Sequence, residues 1–109
     1  MKTVLPDIIQ DEIFCLSSRV SDVVIDHLCS DIEQFEFVIR NVTNYDCSII
    51  IDLVRESQDS IPHTHVNLRI DRIFRIFEIT AEYGDEMVLP RIGDWDGTLD
   101  YLEKLSNGI

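Results

Sequence analysis

Apolar residues in the first third of the chain recur at the period of a helix. Ile9, Ile13, Leu16, Val20, Val24, Leu28, Ile32 and Phe35 follow one another at intervals of three or four. Asp7, Asp11, Glu12, Asp22, Asp26, Asp31 and Glu33 fall between them. One apolar stripe with acids around it predicts helix from Pro6 to about Phe35, since residues three and four apart share a face. Pro6 suits a first helical turn. Ser17-Ser18 divides the stretch, and Ser30-Asp31-Ile32-Glu33 has the spacing of a capping box that would start another helix.

The period then changes. Phe35-Glu36-Phe37-Val38-Ile39-Arg40 alternates like a strand, yet Phe35, Val38, Ile39 and Val42 also make a helical face. Asn44-Tyr45-Asp46 signals a turn. Ile49 to Val54 is either a buried strand or a short helix, which periodicity does not separate. Residues 57–62 form a polar loop. Thr64, Val66, Leu68 and Ile70 alternate with His65, Asn67, Arg69 and Asp71, the cleanest strand pattern in the chain. From Ile73 to Ile79 that register is lost, so the run continues either as a bulged strand or as a helix from Asp71 to Gly84. Met87 to Pro90 fits a short edge strand, where proline is tolerated. A terminal helix opens near Asp96-Gly97-Thr98, turns Leu99, Leu102 and Leu105 inward, and closes at Asn107-Gly108.

Composition tilts these alternatives toward a sheet. The chain has 109 residues, with 16 Ile and 9 Val against a single alanine, Ala81. Helical bundles use alanine freely, whereas β-branched residues favour strands. The expected fold is one α+β domain over residues 1–109: N-terminal helices, a small antiparallel sheet in the second half, and a C-terminal helix. An all-α bundle is the alternative. No apolar run approaches the roughly 18 residues of a membrane span, and the first residues lack the apolar core of a signal peptide. A cytoplasmic chain is expected. Cys15, Cys29 and Cys47 have no disulfide or zinc spacing and are expected to be reduced, half-buried thiols.

Candidate chemistry is sparse. From Ile92 to Glu103, the residues Asp94, Asp96, Gly97, Asp100 and Glu103 fall on calcium-loop positions 3, 5, 6, 9 and 12. Position 1 is Ile92, which has no side-chain oxygen, so no functional calcium site is expected. His63-Thr64-His65 places two imidazoles on one face of an extended segment, where a third ligand such as His27 or an acid would complete a zinc site; two His on a polar strand face beside a loop are expected instead to be solvated surface. There is no nucleophile elbow and no glycine-rich phosphate loop. The chain is therefore not expected to be an enzyme, to have catalytic residues, or to carry a cofactor or metal.

Charge changes the picture most. Twenty-one Asp and Glu face nine Lys and Arg, a net charge of −12. Residues 1–64 carry net −8, residues 65–81 net +1, and residues 82–109 net −5. The middle segment reads as structural, with Arg69, Arg72 and Arg75 pairing to neighbours such as Asp71 and Glu78. The flanks hold the acidic surface. Such a surface repels nucleic acid and anionic membrane and speeds capture of a basic protein. Tyr83, Trp95 and Tyr101 lie among the C-terminal acids. Aromatic anchors inside a charged rim suit an interface, although Trp95 could equally plug the end of the core. Asp94, Trp95, Asp96, Asp100, Tyr101 and Glu103 are the candidate partner-binding residues.

In size, charge and lack of catalytic motifs, the chain resembles the small acidic immunity proteins that bacteria make against secreted nuclease toxins. That resemblance implies a stoichiometric inhibitor of a basic toxin domain, with no direct nucleic-acid or membrane partner; it leaves oligomeric state open and transfers no residue roles. A phage anti-defence protein or DNA mimic would use similar electrostatics, and a calcium- or metal-binding regulatory domain would rest on residues 92–103.

Overall fold

The sheet begins earlier in the chain than the alternation suggests. The computed structural model describes residues 12–15, 19–58 and 60–108. Helix α1 (Asp22–Glu33) is followed by strands β1 (Val38–Asn44), β2 (Ser48–Arg55), β3 (Thr64–Asp71), β4 (Ile76–Tyr83), β5 (Glu86–Val88) and β6 (Arg91–Ile92), then by helix α2 (Trp95–Asn107). The fold is α+β, which sets aside the all-α alternative. Six antiparallel strands form one sheet in the order β1-β2-β3-β4-β5, and β6 pairs farther along the same edge of β4 as β5.

A bulge explains the ambiguity near residue 39. Ile39 pairs with Leu53, but Asn41 pairs with Asp52, so Arg40 is an extra residue in β1. The insertion puts Ile39 and Val42 three apart yet both against the core, the spacing of a helical face. The run after Asp71 hid a turn rather than a bulge or helix. Asp71 Oδ1 accepts the backbone N–H groups of Ile73 and Phe74, each at 3.0 Å, and Arg75 takes a left-handed φ of 59° before β4 starts. Asp71 thus caps a four-residue turn.

The N-terminal helical expectation holds for α1, whose N-cap is Ser21. Ser30 to Glu33 ends that helix rather than opening another. Pro6, Asp7, Asp11 and Ser17-Ser18 lie outside the described residues. Helix α2 starts about one turn earlier than expected, with Asp94 as its N-cap, and closes on Gly108 at φ 80°.

Both helices cover one face of the sheet, α1 toward β1 and α2 toward β4 and β6. Val24, Leu28 and Ile32 from α1 and Leu99, Leu102 and Leu105 from α2 pack on Ile49, Ile51, Leu53, Val66, Leu68, Ile70, Phe77 and Ile79. The opposite sheet face carries Asp52, His65, Asn67, Arg69, Glu78, Thr80 and Glu82, the polar half of the strand alternation. No helix among the described residues is long and apolar enough to cross a membrane.

Arg72 ties the turn end of the sheet together. It is 1% exposed. Its guanidinium donates to the carbonyls of Ile13 (2.5 Å), Asp46 (2.7 Å), Glu12 (3.4 Å) and Cys15. A buried cation needs such acceptors, and these carbonyls are otherwise outside the ladders.

The turn cap predicts an acid-sensitive term in stability. The N–H of Phe74 holds the Asp71 carboxyl below its ordinary range, helped by Ile73 and by Arg69 and opposed by desolvation. A depressed folded-state pKa contributes stability that is fully present above the unfolded value of about 3.9 and is lost as pH falls through the folded value. Asp71→Ala is expected to lose about 1–2 kcal/mol at pH 7 and to have a shallower decline in stability below pH ~4. Urea unfolding between pH 2 and 7 measures both; an unchanged acid slope contradicts the cap.

Candidate functional site: an acidic helical layer and a buried arginine

The two helices together hold half of the net charge of −12: α1 carries four acids and no base, and α2 three acids against one base. On α1, Asp22, Asp26 and Glu33 are exposed and there is no Lys or Arg. On α2, Asp100 and Glu103 are exposed and Asp96 is half-buried, against Lys104 as the single base. The far face of the sheet is different, because most of its charges are matched locally. Arg69 lies 3.2 Å from Asp71 and 3.7 Å from Glu78, Arg91 lies 3.9 Å from Glu78, and His65 Nε2 lies 2.6 Å from Asp52. The balanced middle segment of the sequence thus corresponds largely to this paired sheet face.

The six sequence-predicted residues separate into different roles. Asp94 is exposed, but its Oδ1 accepts the Gly97 N–H at 2.6 Å and caps α2. Gly97 permits this approach, since a Cβ there would sit 2.7 Å from both Asp94 Oδ1 and Ile92 Cγ2. Trp95 is fully buried, and its indole N–H donates to Asp31 Oδ2 at 2.9 Å. It fills the core and offers no surface to a partner, which corrects its assignment as an interface anchor. Asp96 buries one carboxylate oxygen that has no hydrogen-bond partner. Asp100 and Glu103 point outward, while Tyr101 is half-buried, with burial pushing its phenol pKa up. The calcium-loop positions from 95 onward run along a helix, a geometry that does not wrap an ion.

Other candidates disperse. Arg69 pairs with acids, Arg72 is caged by carbonyls, and Arg75 stacks over the Phe14 ring at 5.3 Å, so they form no basic stripe. Among the described residues no group of three or more His, Cys, Asp or Glu is arranged to hold a metal. Of the cysteines only Cys29 is half-buried; Cys15 and Cys47 are exposed, contrary to expectation. Burial, then Glu33 and Asp26, raise the Cys29 thiol pKa and so lower its thiolate fraction.

The sequence reading missed Arg55. This residue continues the inward parity of Ile49, Ile51 and Leu53 and pairs with Thr64, itself opposite Tyr83, at the loop end of the sheet. It is 6% exposed. Its Nη2 donates to Glu36 Oε2 at 3.2 Å and reaches Gln58 Oε1 at 3.5 Å, while Nε and Nη1 are buried without an acceptor. Glu36 has a left-handed φ of 68°, two residues beyond the α1 C-cap Gln34. Glycine or asparagine is the usual occupant of such a position. A cleft of about 430 Å³ opens here between the ends of both helices and the loop after β2. Once β2 is assigned, a charge in step with three core residues is the sequence signal for Arg55; nothing marks Glu36.

No family model matches the chain, and no match is found among curated proteins or among solved structures.

The cap role of Asp94 separates structure from recognition. Asp94→Ala is expected to cost about 1 kcal/mol of stability through loss of the cap. A thermal or urea unfolding curve identical to that of the parent would show that Asp94 does not hold the helix.

Proposed function

We propose that the chain is a stoichiometric protein inhibitor, an immunity protein that neutralises a basic, nuclease-type toxin domain by docking its helical layer on the toxin's cationic surface. The observation that carries this reading is the one-sided charge: acids dominate both helices, whereas the opposite sheet face is largely ion-paired. A toxin that grips phosphate presents a positive groove, and a concentrated negative layer steers toward it and occupies it. Asp100 and Glu103 on α2, with Asp22, Asp26 and Glu33 on α1, supply the steering field. Asp94 and Trp95 act from within, one by capping α2 and the other by seating it.

The test is inhibition of a basic nuclease domain encoded beside the chain. A one-to-one complex should form and abolish nuclease activity at equivalence, with an association rate that falls as salt rises. Asp26→Lys with Asp100→Lys should slow association on the order of 10-fold or more at low salt and flatten the salt dependence. Glu82→Lys with Glu86→Lys makes the same change in net charge on β4 and β5 and should slow it much less. Equal effects from the two pairs, measured by stopped flow, would place recognition in net charge rather than in the helical layer. Absence of a complex would remove the reading.

A further inference from the structure

We infer that the cleft at Arg55 is a binding site for a small zwitterion of the α-amino-acid class, whose carboxylate is taken by Arg55 and whose ammonium is taken by the glutamates beside it. Three observations lead there. First, the floor holds an under-compensated cation. Arg55 is 6% exposed, two of its three nitrogens lack an acceptor, and its ion pair is one 3.2 Å contact to a glutamate whose own side chain is 71% exposed. Breaking or weakly meeting a buried charge is costly, so a buried guanidinium calls for a closer oxyanion than this.

Second, Glu36 is held against local preference. A non-glycine residue in the left-handed region is strained, and such residues cluster at ligand clamps. Here the strained residue is the one whose carboxylate covers the buried cation. That arrangement suits a replaceable cover: an incoming carboxylate takes the guanidinium, and the released Glu36 is free to meet a positive group.

Third, the charge pattern selects between ligands. Glu36 and Glu103 line the cleft with Arg55, and Gln34, Gln58 and Asn107 add amide donors and acceptors. A simple anion such as phosphate meets two carboxylates on its way to one cation. A simple amine is attracted by the glutamates and then meets the guanidinium. A molecule with a carboxylate next to an ammonium satisfies both, and about 430 Å³ admits one with a side chain. The site is independent of the inhibitor reading, since it is tested with small molecules alone.

The experiment is a titration of the full chain, followed by amide chemical shifts, with each of the twenty L-amino acids and with acetate, inorganic phosphate and ethylamine. At least one amino acid should bind with sub-millimolar affinity and move the amides of Gln34, Glu36, Arg55 and Asn107. Acetate, phosphate and ethylamine should each bind at least 10-fold more weakly. Arg55→Met should abolish the shifts while the protein stays folded, because an apolar replacement of a buried charge is tolerated. Arg55→Lys, which keeps the charge but loses the planar fork, provides the same comparison if the Met variant does not fold, and should weaken binding at least 10-fold. Glu103→Gln should weaken the amino acid but not acetate. Binding of acetate or phosphate as tight as any amino acid, binding unaltered by the Arg55 substitutions, or no binding by any amino acid would overturn the proposal.

Discussion

One buried hydrogen bond sets the geometry of the helical layer: the Trp95 indole N–H donates to the carboxylate of Asp31 at 2.9 Å. Trp95 begins α2 and Asp31 is near the end of α1, so the bond joins helices that are 64 positions apart in sequence. Both groups are buried, and neither has cheap alternatives. A carboxylate removed from water must be met by donors, and an indole N–H in a core must find an acceptor. His27 Nε2 lies 3.7 Å from the same carboxylate, and the Trp95 ring tilts against Phe77, with centroids 5.7 Å apart. The indole thus touches α1 through its nitrogen and the sheet through its ring. At the far end of α2, Ser106 donates to the Phe35 carbonyl at 2.9 Å, a second polar tie between α2 and the C-terminal end of α1.

Seating α1 and α2 side by side has an electrostatic consequence. Each helix buries an apolar stripe and turns its remaining positions outward, where the acids are. Two such helices in one layer add their fields, whereas the sheet spreads acids and bases alternately over adjacent strands and cancels much of its own. The asymmetry arises from where the fold places the charge rather than from net charge alone. It gives the inhibitor reading its physical content, because steering depends on the distribution of charge over a surface.

What was readable in the sequence follows the range of the interactions involved. Alternation over Thr64 to Asp71 and the inward leucines of α2 are set within a few residues, and both agree with the structure. Ile39 and Val42 misled because a bulge at Arg40 imitates helical spacing. The Ile73 to Ile79 run misled because a capped turn consumes its first residues. Trp95 is the instructive case among the candidate site residues. Its acidic neighbours suggested an interface, but one of its partners, Asp31, lies on a different helix and could not be inferred from local pattern. Arg55 and Glu36 were invisible for the same reason: a buried cation and a left-handed glutamate acquire meaning only when the two ends of the helical layer close over the end of β2.

Asp31 and Trp95 should act as one unit, and a double-mutant cycle measures this directly. Unfolding free energies of the parent, Asp31→Ala, Trp95→Phe and the double variant, taken from urea titrations at pH 7, give their coupling. A coupling of about 1.5 kcal/mol or more is expected, since either substitution alone already removes the bond and leaves its partner buried and unmet. Additivity within about 0.5 kcal/mol would show that α1 and α2 are held by apolar packing alone and that the bond does not set the layer.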